Sequence, residues 1–203
     1  MKKLIFAILF AAVWWFFMFS PWTKELADFW SLMSVAAMIL TAFAVWFGEV
    51  WKQCFVFNFK AVALGIISAV VLWCVFFIGD KVAAFLFDFA KDQVHSVYTI
   101  RDGGVKSQII VFLCLIGPAE ELFWRGYVQE QLSRRFSPNV GFFMATAIYT
   151  MVHIWSFNLM LILAAAVAGT IWGLMYRFNK NLTTLMISHT LWDIAVLVLF
   201  PIL

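Results

Sequence analysis

Apolar runs of nearly membrane-spanning length follow one another along almost the whole 203-residue chain. A helix needs about 20 mostly apolar residues to cross the hydrocarbon core of a bilayer. Six stretches approach this length, and they cover residues 4–19, 30–47, 61–78, 140–155, 159–175 and 182–200. A further span, the fourth in order, begins with the apolar run 109–116, passes through two adjacent glutamates and can continue as helix toward residues 134–135. With 65% hydrophobic residues and a mean hydropathy of +0.96, the chain carries more apolar surface than a soluble domain of this length could bury. We therefore predict an all-α, polytopic membrane bundle of about seven transmembrane helices.

The segment between the third and fourth apolar runs has a different pattern. Its apolar residues Val82, Phe85, Leu86 and Phe89 recur at helical spacing, while charged residues take the other side. This pattern is typical of an amphipathic helix lying at the membrane interface. We predict one such helix within residues 80–104, in addition to the transmembrane helices.

Basic residues are distributed unevenly between the two sides of the membrane that this topology creates. With the N terminus in the cytoplasm, the cytoplasmic segments hold nine of the 14 Lys and Arg residues and the opposite side holds five. The bias is strongest in the short loops, which is where it determines orientation. We therefore predict a multi-pass protein of the inner or plasma membrane, with a cytoplasmic N terminus and the C terminus outside. Because the net charge of +3 is not gathered into a basic stripe, we predict no nucleic-acid partner.

Two adjacent carboxylates and an arginine interrupt the fourth apolar run, within residues 118–126. An ionisable group at bilayer depth costs about 2.5 to 3.5 kcal/mol on insertion scales, so such groups usually face a protein interior and mark a site. Glu121 and Arg125 are one helical turn apart and can pair, which leaves Glu120 as the unpaired carboxylate. We predict that Glu121 and Arg125 support the structure and that Glu120 takes part in chemistry.

Three further polar residues lie at membrane depth, namely His153, His189 and Asp193. If the fourth and fifth spans form a hairpin that folds near residue 136, Glu120 and His153 both lie roughly 20 to 25 Å from the fold. His189 and Asp193 are one turn apart on one face of the seventh span. We predict that all four side chains converge inside the bundle, where a carboxylate and a neighbouring imidazole can activate water to hydrolyse a peptide bond.

These residues resemble three motifs of the CPBP intramembrane protease family, which includes the CAAX prenyl endoproteases and the bacteriocin self-immunity (Abi) proteins. The motifs are Glu-Glu-x-x-x-Arg at 120–125, aromatic-x-x-x-His at 149–153 and His-x-x-x-Asp at 189–193. The resemblance covers about residues 107–200. It implies that Glu120 and His153 activate water, and that His189 and Asp193 stabilise the oxyanion or hold the site together.

Two positions depart from the pattern that the resemblance implies. Tyr149 stands where Phe is commoner, and it either orients His153 or only packs. Asp193 stands where the eukaryotic prenyl proteases have Asn. Because an ionised aspartate would repel an oxyanion, we expect Asp193 to orient His189 as an imidazolium or to be protonated itself.

The two imidazoles and two carboxylates also form a set that could hold zinc with one position open for water. Zinc on Glu120, His153, His189 and Asp193 is therefore the alternative to the metal-independent activation of water that we favour. No other cofactor is predicted.

We predict a single integral membrane domain over residues 1–203, in which residues 1–106 provide scaffold spans and the interfacial helix and residues 107–203 form the catalytic core. The predicted function is an intramembrane endopeptidase, with membrane lipid and a membrane-associated protein or peptide substrate as its partners. A non-catalytic bacteriocin-immunity or peptide-binding protein of the Abi type is the alternative. A proton-coupled transporter would use the same carboxylates as a relay, but the sequence has no inverted repeat. No oligomeric state is predicted.

Overall fold

The computed structural model of the chain describes residues 1–23, 26–52, 55–101 and 104–202. Apart from short 3-10 turns, these residues form eight helices, and no strand occurs among them. The helices are α1 (Lys2–Phe19), α2 (Phe29–Gly48), α3 (Phe59–Leu86), α4 (Ala90–Tyr98), α5 (Lys106–Arg135), α6 (Pro138–Val152), α7 (Leu159–Phe178) and α8 (Leu182–Leu199). The all-α fold predicted from the sequence is confirmed.

Six of these helices are long and apolar enough to cross a membrane, namely α1, α2, α3, α5, α7 and α8. The fifth predicted span corresponds to α6, which has 15 residues and continues as a single 3-10 turn, His153–Ser156. The chain is therefore a multi-pass helical membrane protein, with α6 as the shortest of the predicted spans.

The third span is longer than its sequence predicts. Its predicted end at Ile78 is wrong, because α3 continues to Leu86. The charge of Asp80 does not end the helix, since the Asp80 carboxylate lies 2.8 Å from Lys91 Nζ and 3.2 Å from Lys81 Nζ. A carboxylate paired in this way can be kept inside a helix that is otherwise apolar.

The predicted amphipathic segment is correspondingly shorter. It forms α4, a helix of nine residues whose charged side chains are exposed and whose two ends, Ala90 and Tyr98, are buried. Asp102 and Gly103, near the end of the predicted segment, lie outside the described residues. The side-chain amide of Asn158, which caps α7, donates to the carbonyl of Gln93 at 2.8 Å, so α4 is attached to the start of α7.

The helix α5 changes its winding directly after the pair of glutamates. Residues Leu122–Gln129 form a π-helix, a wide-turn form that is rare and is frequently found at functional sites. Every side chain from Phe123 to Gln129 is buried, so this part of α5 is surrounded by the other helices. The chain then turns at Ser137, whose hydroxyl accepts a hydrogen bond from Val140 N at 3.2 Å and caps α6. The predicted hairpin of α5 and α6 is therefore present.

Two glycines of α7 allow the neighbouring helices to approach closely. A Cβ atom on Gly169 would lie 2.9 Å from Tyr149 Cδ1, and a Cβ atom on Gly173 would lie 2.9 Å from another aromatic ring of α6. The carbonyls of the same two glycines accept hydrogen bonds from Arg125 Nη2 at 3.4 Å and from Gln129 Nε2 at 2.9 Å. Helix α7 thus holds both α5 and α6 where the predicted site residues lie.

Candidate active site

A cavity of about 530 Å³ opens inside the bundle and is lined by residues from all eight helices. Its walls are mainly apolar, and the four predicted catalytic residues Glu120, His153, His189 and Asp193 all line it. These side chains are buried, with exposed fractions of 7%, 6%, 4% and 8% in the same order. The structure therefore brings the four residues, which come from α5, the end of α6 and α8, to one cavity.

The carboxylate of Glu120 is held by a phenol from the next helix. Tyr149 Oη donates a hydrogen bond to Glu120 Oε2 over 3.1 Å. The other oxygen, Oε1, makes no hydrogen bond to any residue that the structure describes. One side of this carboxylate is therefore fixed, and the other remains able to accept a proton from a water molecule.

The imidazole of His189 is held on two sides. Its Nδ1 lies 2.7 Å from Glu121 Oε1, which also accepts from Arg125 Nη1 at 2.7 Å. The ring stacks on the indole of Trp172 with 3.8 Å between the ring centroids. Because Glu121 Oε1 accepts from the guanidinium, the proton of the second bond belongs to His189 Nδ1. The opposite nitrogen, Nε2, then faces Asp193 Oδ2 at 3.5 Å.

The ion pair between Glu121 and Arg125 that the sequence predicts is present and fully buried. Its contact with His189 is not predicted, since the spacing rules of a single helix do not reveal a neighbour 68 residues away. Glu121 therefore contacts a predicted catalytic side chain as well as its structural partner.

The imidazole of His153 has both nitrogens engaged. Its Nδ1 lies 2.8 Å from the backbone carbonyl of Tyr149, and its Nε2 lies 3.1 Å from the indole nitrogen of Trp15. A carbonyl only accepts and an indole N–H only donates, so His153 is a neutral imidazole with its proton on Nδ1. Tyr149 thus contacts Glu120 through its hydroxyl and His153 through its backbone.

Trp15 is the site residue that the sequence analysis missed. It lies on α1, within the segment predicted to provide scaffold only, and it is 1% exposed. Phe19, one turn later, also lines the cavity and lies 5.5 Å from the His153 ring, measured between centroids. Since the first span carries no charge and no motif, no signal in the sequence separates Trp15 from the other aromatic residues of that helix.

The arrangement of the four predicted residues does not fit a zinc ion. Among the residues that the structure describes, no group of three or more His, Cys, Asp or Glu side chains lies in position to hold a metal ion. His153 in particular offers no unoccupied ring nitrogen while its bonds to Trp15 and Tyr149 are intact.

Comparison with known protein families gives a match for the second half of the chain. Residues 102–195 match the model of the family described as Rce1-like, type II CAAX prenyl endopeptidase. The matched range includes all seven residues that the sequence analysis assigns to catalysis or its support. No curated protein and no solved structure matches the chain.

Proposed function

We propose that this chain is an intramembrane endopeptidase in which Glu120 activates the attacking water. The match of residues 102–195 to the Rce1-like family of type II CAAX prenyl endopeptidases supports this proposal. At the level of the family, the match supports a CAAX-type intramembrane endopeptidase. The observation that carries the finer proposal is the position of Glu120, which is fixed through one oxygen by Tyr149 and lines the same buried cavity as His189.

The first step is the removal of a proton from water by Glu120. A water molecule bound to Oε1 gives its proton to the carboxylate as its oxygen attacks the carbonyl carbon of the scissile bond. The hydrogen bond from Tyr149 to Oε2 keeps the carboxylate from rotating, so Oε1 stays directed at one position. The protonated Glu120 then returns this proton to the leaving nitrogen as the carbon–nitrogen bond breaks.

His189 is the group that we assign to the negative charge of the tetrahedral intermediate. Glu121 and Trp172 fix its ring, and its Nε2 edge is directed toward Asp193 in the cavity. An imidazolium in this position donates from Nε2 to an oxyanion without having to reorganise during the reaction. Asp193, 3.5 Å from Nε2, balances the positive charge in the absence of substrate.

We assign a supporting role to His153, which the sequence analysis pairs with Glu120 in the activation of water. Its single basic lone pair, on Nε2, already accepts the indole N–H of Trp15. Proton transfer is therefore assigned to Glu120 alone. His153 acts by bonding to the backbone of Tyr149, the residue whose hydroxyl holds Glu120.

The substrate that we propose is a membrane-associated peptide with an apolar group close to its scissile bond. A cavity of about 530 Å³ with mainly apolar walls offers room for such a group beside Glu120. Among the described residues that line the cavity, one is a lysine or arginine, namely Arg101, whose Nη1 donates to the Leu197 carbonyl at 2.9 Å. Burial of a strongly acidic peptide in this cavity would be unfavourable, because few positive charges line it to pair with the carboxylates.

The test uses the full-length protein in lipid nanodiscs and a fluorogenic peptide that ends in a CAAX sequence, with and without a farnesyl group on its cysteine. Glu120→Ala is expected to lower cleavage at least 100-fold, a reduction of about the size that loss of a general base produces. The matched control is Glu49→Ala, which removes an exposed carboxylate that pairs with the exposed Lys52. Cleavage by Glu120→Ala at the rate of the unaltered protein would refute the role of Glu120.

A second readout covers the case in which neither peptide is the substrate. The termini of membrane proteins are compared between cells that contain the unaltered protein and cells that contain the Glu120→Ala variant. A cleavage that disappears in the variant identifies the substrate and supports the proposal. A cellular phenotype that persists in the variant, with no change in any terminus, would instead support a binding protein of the Abi type.

A further inference from the structure

Three hydrogen bonds connect the first helix of the chain to Glu120. Trp15 Nε1 donates to His153 Nε2 over 3.1 Å, and His153 Nδ1 donates to the Tyr149 carbonyl over 2.8 Å. The hydroxyl of Tyr149 then donates to Glu120 Oε2 over 3.1 Å. The path crosses from α1 to α6 and from α6 to α5, and every donor along it points toward the carboxylate.

The four residues of this path are buried. Trp15 is 1% exposed, while Tyr149 and His153 are each 6% exposed and Glu120 is 7% exposed. Hydrogen bonds that are shielded from water are electrostatically stronger than exposed ones. The second and third bonds are made by different groups of Tyr149, its backbone carbonyl and its hydroxyl, so the path acts through the position of that residue. A change at the outer end of the path is therefore expected to be felt at its inner end.

We propose that Trp15 is a positioning residue for Glu120, acting through His153 and Tyr149, so that α1 is part of the active site although it lies outside the residues matched to the family. Its indole N–H fixes the plane and the proton of the His153 ring. The ring in turn fixes the end of α6 that carries Tyr149. The effect on the reaction rests on the proposed function, whereas the arrangement of protons does not.

The first test measures that arrangement and requires no activity. The sequence contains only three histidines, so nitrogen-15 NMR of the histidine-labelled protein can resolve each ring. The unaltered protein is expected to show His153 with its proton on Nδ1 and an unprotonated, hydrogen-bonded Nε2. In Trp15→Phe, the Nε2 resonance is expected to move to the position of a free acceptor. A proton on Nε2 in the unaltered protein would overturn the proposal, because two donors would then face each other.

The second test measures kinetics with whichever substrate the protein cleaves. Trp15→Phe keeps an aromatic ring against Trp124 but removes the donor together with part of the ring volume. It is expected to lower kcat about three- to tenfold, the size of the loss of one hydrogen bond, with KM within about twofold. The matched control is Trp14→Phe on the same helix, where the indole is half-buried, and it is expected to leave kcat unchanged.

A double variant separates positioning from a general loss of packing. If Trp15 acts through Tyr149, adding Trp15→Phe to Tyr149→Phe should lower kcat by less than about twofold beyond Tyr149→Phe alone, because the last bond of the path is already missing. Effects of the two substitutions that multiply, or an equal loss of kcat in Trp14→Phe, would overturn the proposal. If Trp15→Phe does not fold, the NMR measurement on the unaltered protein still decides between the two arrangements of protons.

Discussion

His189 and Glu121 lie on different helices, and His189 Nδ1 is 2.7 Å from Glu121 Oε1. The same oxygen accepts the hydrogen bond from Arg125, so one atom receives both a guanidinium and an imidazole donor. The other oxygen, Oε2, is buried and has no hydrogen-bond partner among the described residues. Glu121 therefore links the ion pair that stabilises α5 to the imidazole that we assign to the oxyanion.

The link predicts that Glu121 and Arg125 matter for stability. Removing one partner of a buried ion pair leaves the other charge uncompensated and costs about 3 to 5 kcal/mol. Glu121→Ala and Arg125→Ala are therefore each expected to lower the melting temperature of the purified protein in detergent. Glu49→Ala, at an exposed ion pair, is the control and is expected to change it little. Unchanged melting temperatures in both buried variants would contradict the structural role.

A second prediction concerns the width of the cavity. Gly79 lies on α3 and lines the cavity, and a Cβ atom built on it would meet no atom within 4 Å. Gly79→Leu is therefore expected to fold normally, and the loss of a glycine inside a helix favours it by about 1 kcal/mol. Its side chain would occupy space that we assign to the apolar group of the substrate.

The expected result for Gly79→Leu is a KM raised about tenfold for the farnesylated peptide, since about 1.4 kcal/mol of apolar contact would be lost. The control is Val71→Leu, an exposed position of the same helix outside the cavity lining. A KM that changes equally in the two variants, or in neither, would show that the cavity near Gly79 does not receive the substrate.

The fold was largely predictable from the sequence, because a backbone in lipid must satisfy its own hydrogen bonds and so forms helices. The apolar runs then locate the spans, although α6, at 15 residues, is shorter than the six helices that are long enough to cross a membrane. The end of α3 was not predictable in this way. From the sequence of α3 alone, Asp80 predicts the end of the span. In the structure, Lys91 on the following helix pairs with the Asp80 carboxylate and compensates its charge. A pairing between separate helices is invisible to a pattern that is read along one of them.

The candidate site was partly predictable for a related reason. Ionisable residues at bilayer depth are rare, so Glu120, His153 and His189 are conspicuous even in a single sequence. Trp15 is not conspicuous, since the chain contains 11 tryptophans and an aromatic residue in an apolar helix is ordinary. Which indole contacts an imidazole depends on how each helix is rotated. Only the packed arrangement reveals Trp15.

A third prediction concerns metal ions. The four predicted residues do not form a metal-binding group, and we assign the activation of water to Glu120 directly. Treatment with a strong zinc chelator is therefore expected to leave the rate of peptide cleavage within about twofold of the untreated rate, because no step of the proposed reaction uses a metal ion. Elemental analysis of the active protein should find less than one zinc per chain. Loss of cleavage that is restored by added zinc would favour the alternative, with zinc held by Glu120, His153, His189 and Asp193.

The last prediction concerns Asp193, which lies 3.5 Å from His189 Nε2. An asparagine can place a carbonyl oxygen where Asp193 Oδ2 now lies, so it keeps an acceptor close to the imidazole. It also removes a negative charge that would repel an oxyanion. Asp193→Asn is therefore expected to keep kcat within about threefold of the unaltered protein. Asp193→Ala removes the acceptor and is expected to lower kcat about tenfold, because one hydrogen bond to a charged group contributes about this much. Both variants are compared in nanodiscs with the same peptide at saturating concentration. Equal losses in the two variants would show that the charge of Asp193, rather than the presence of an acceptor oxygen, serves the reaction.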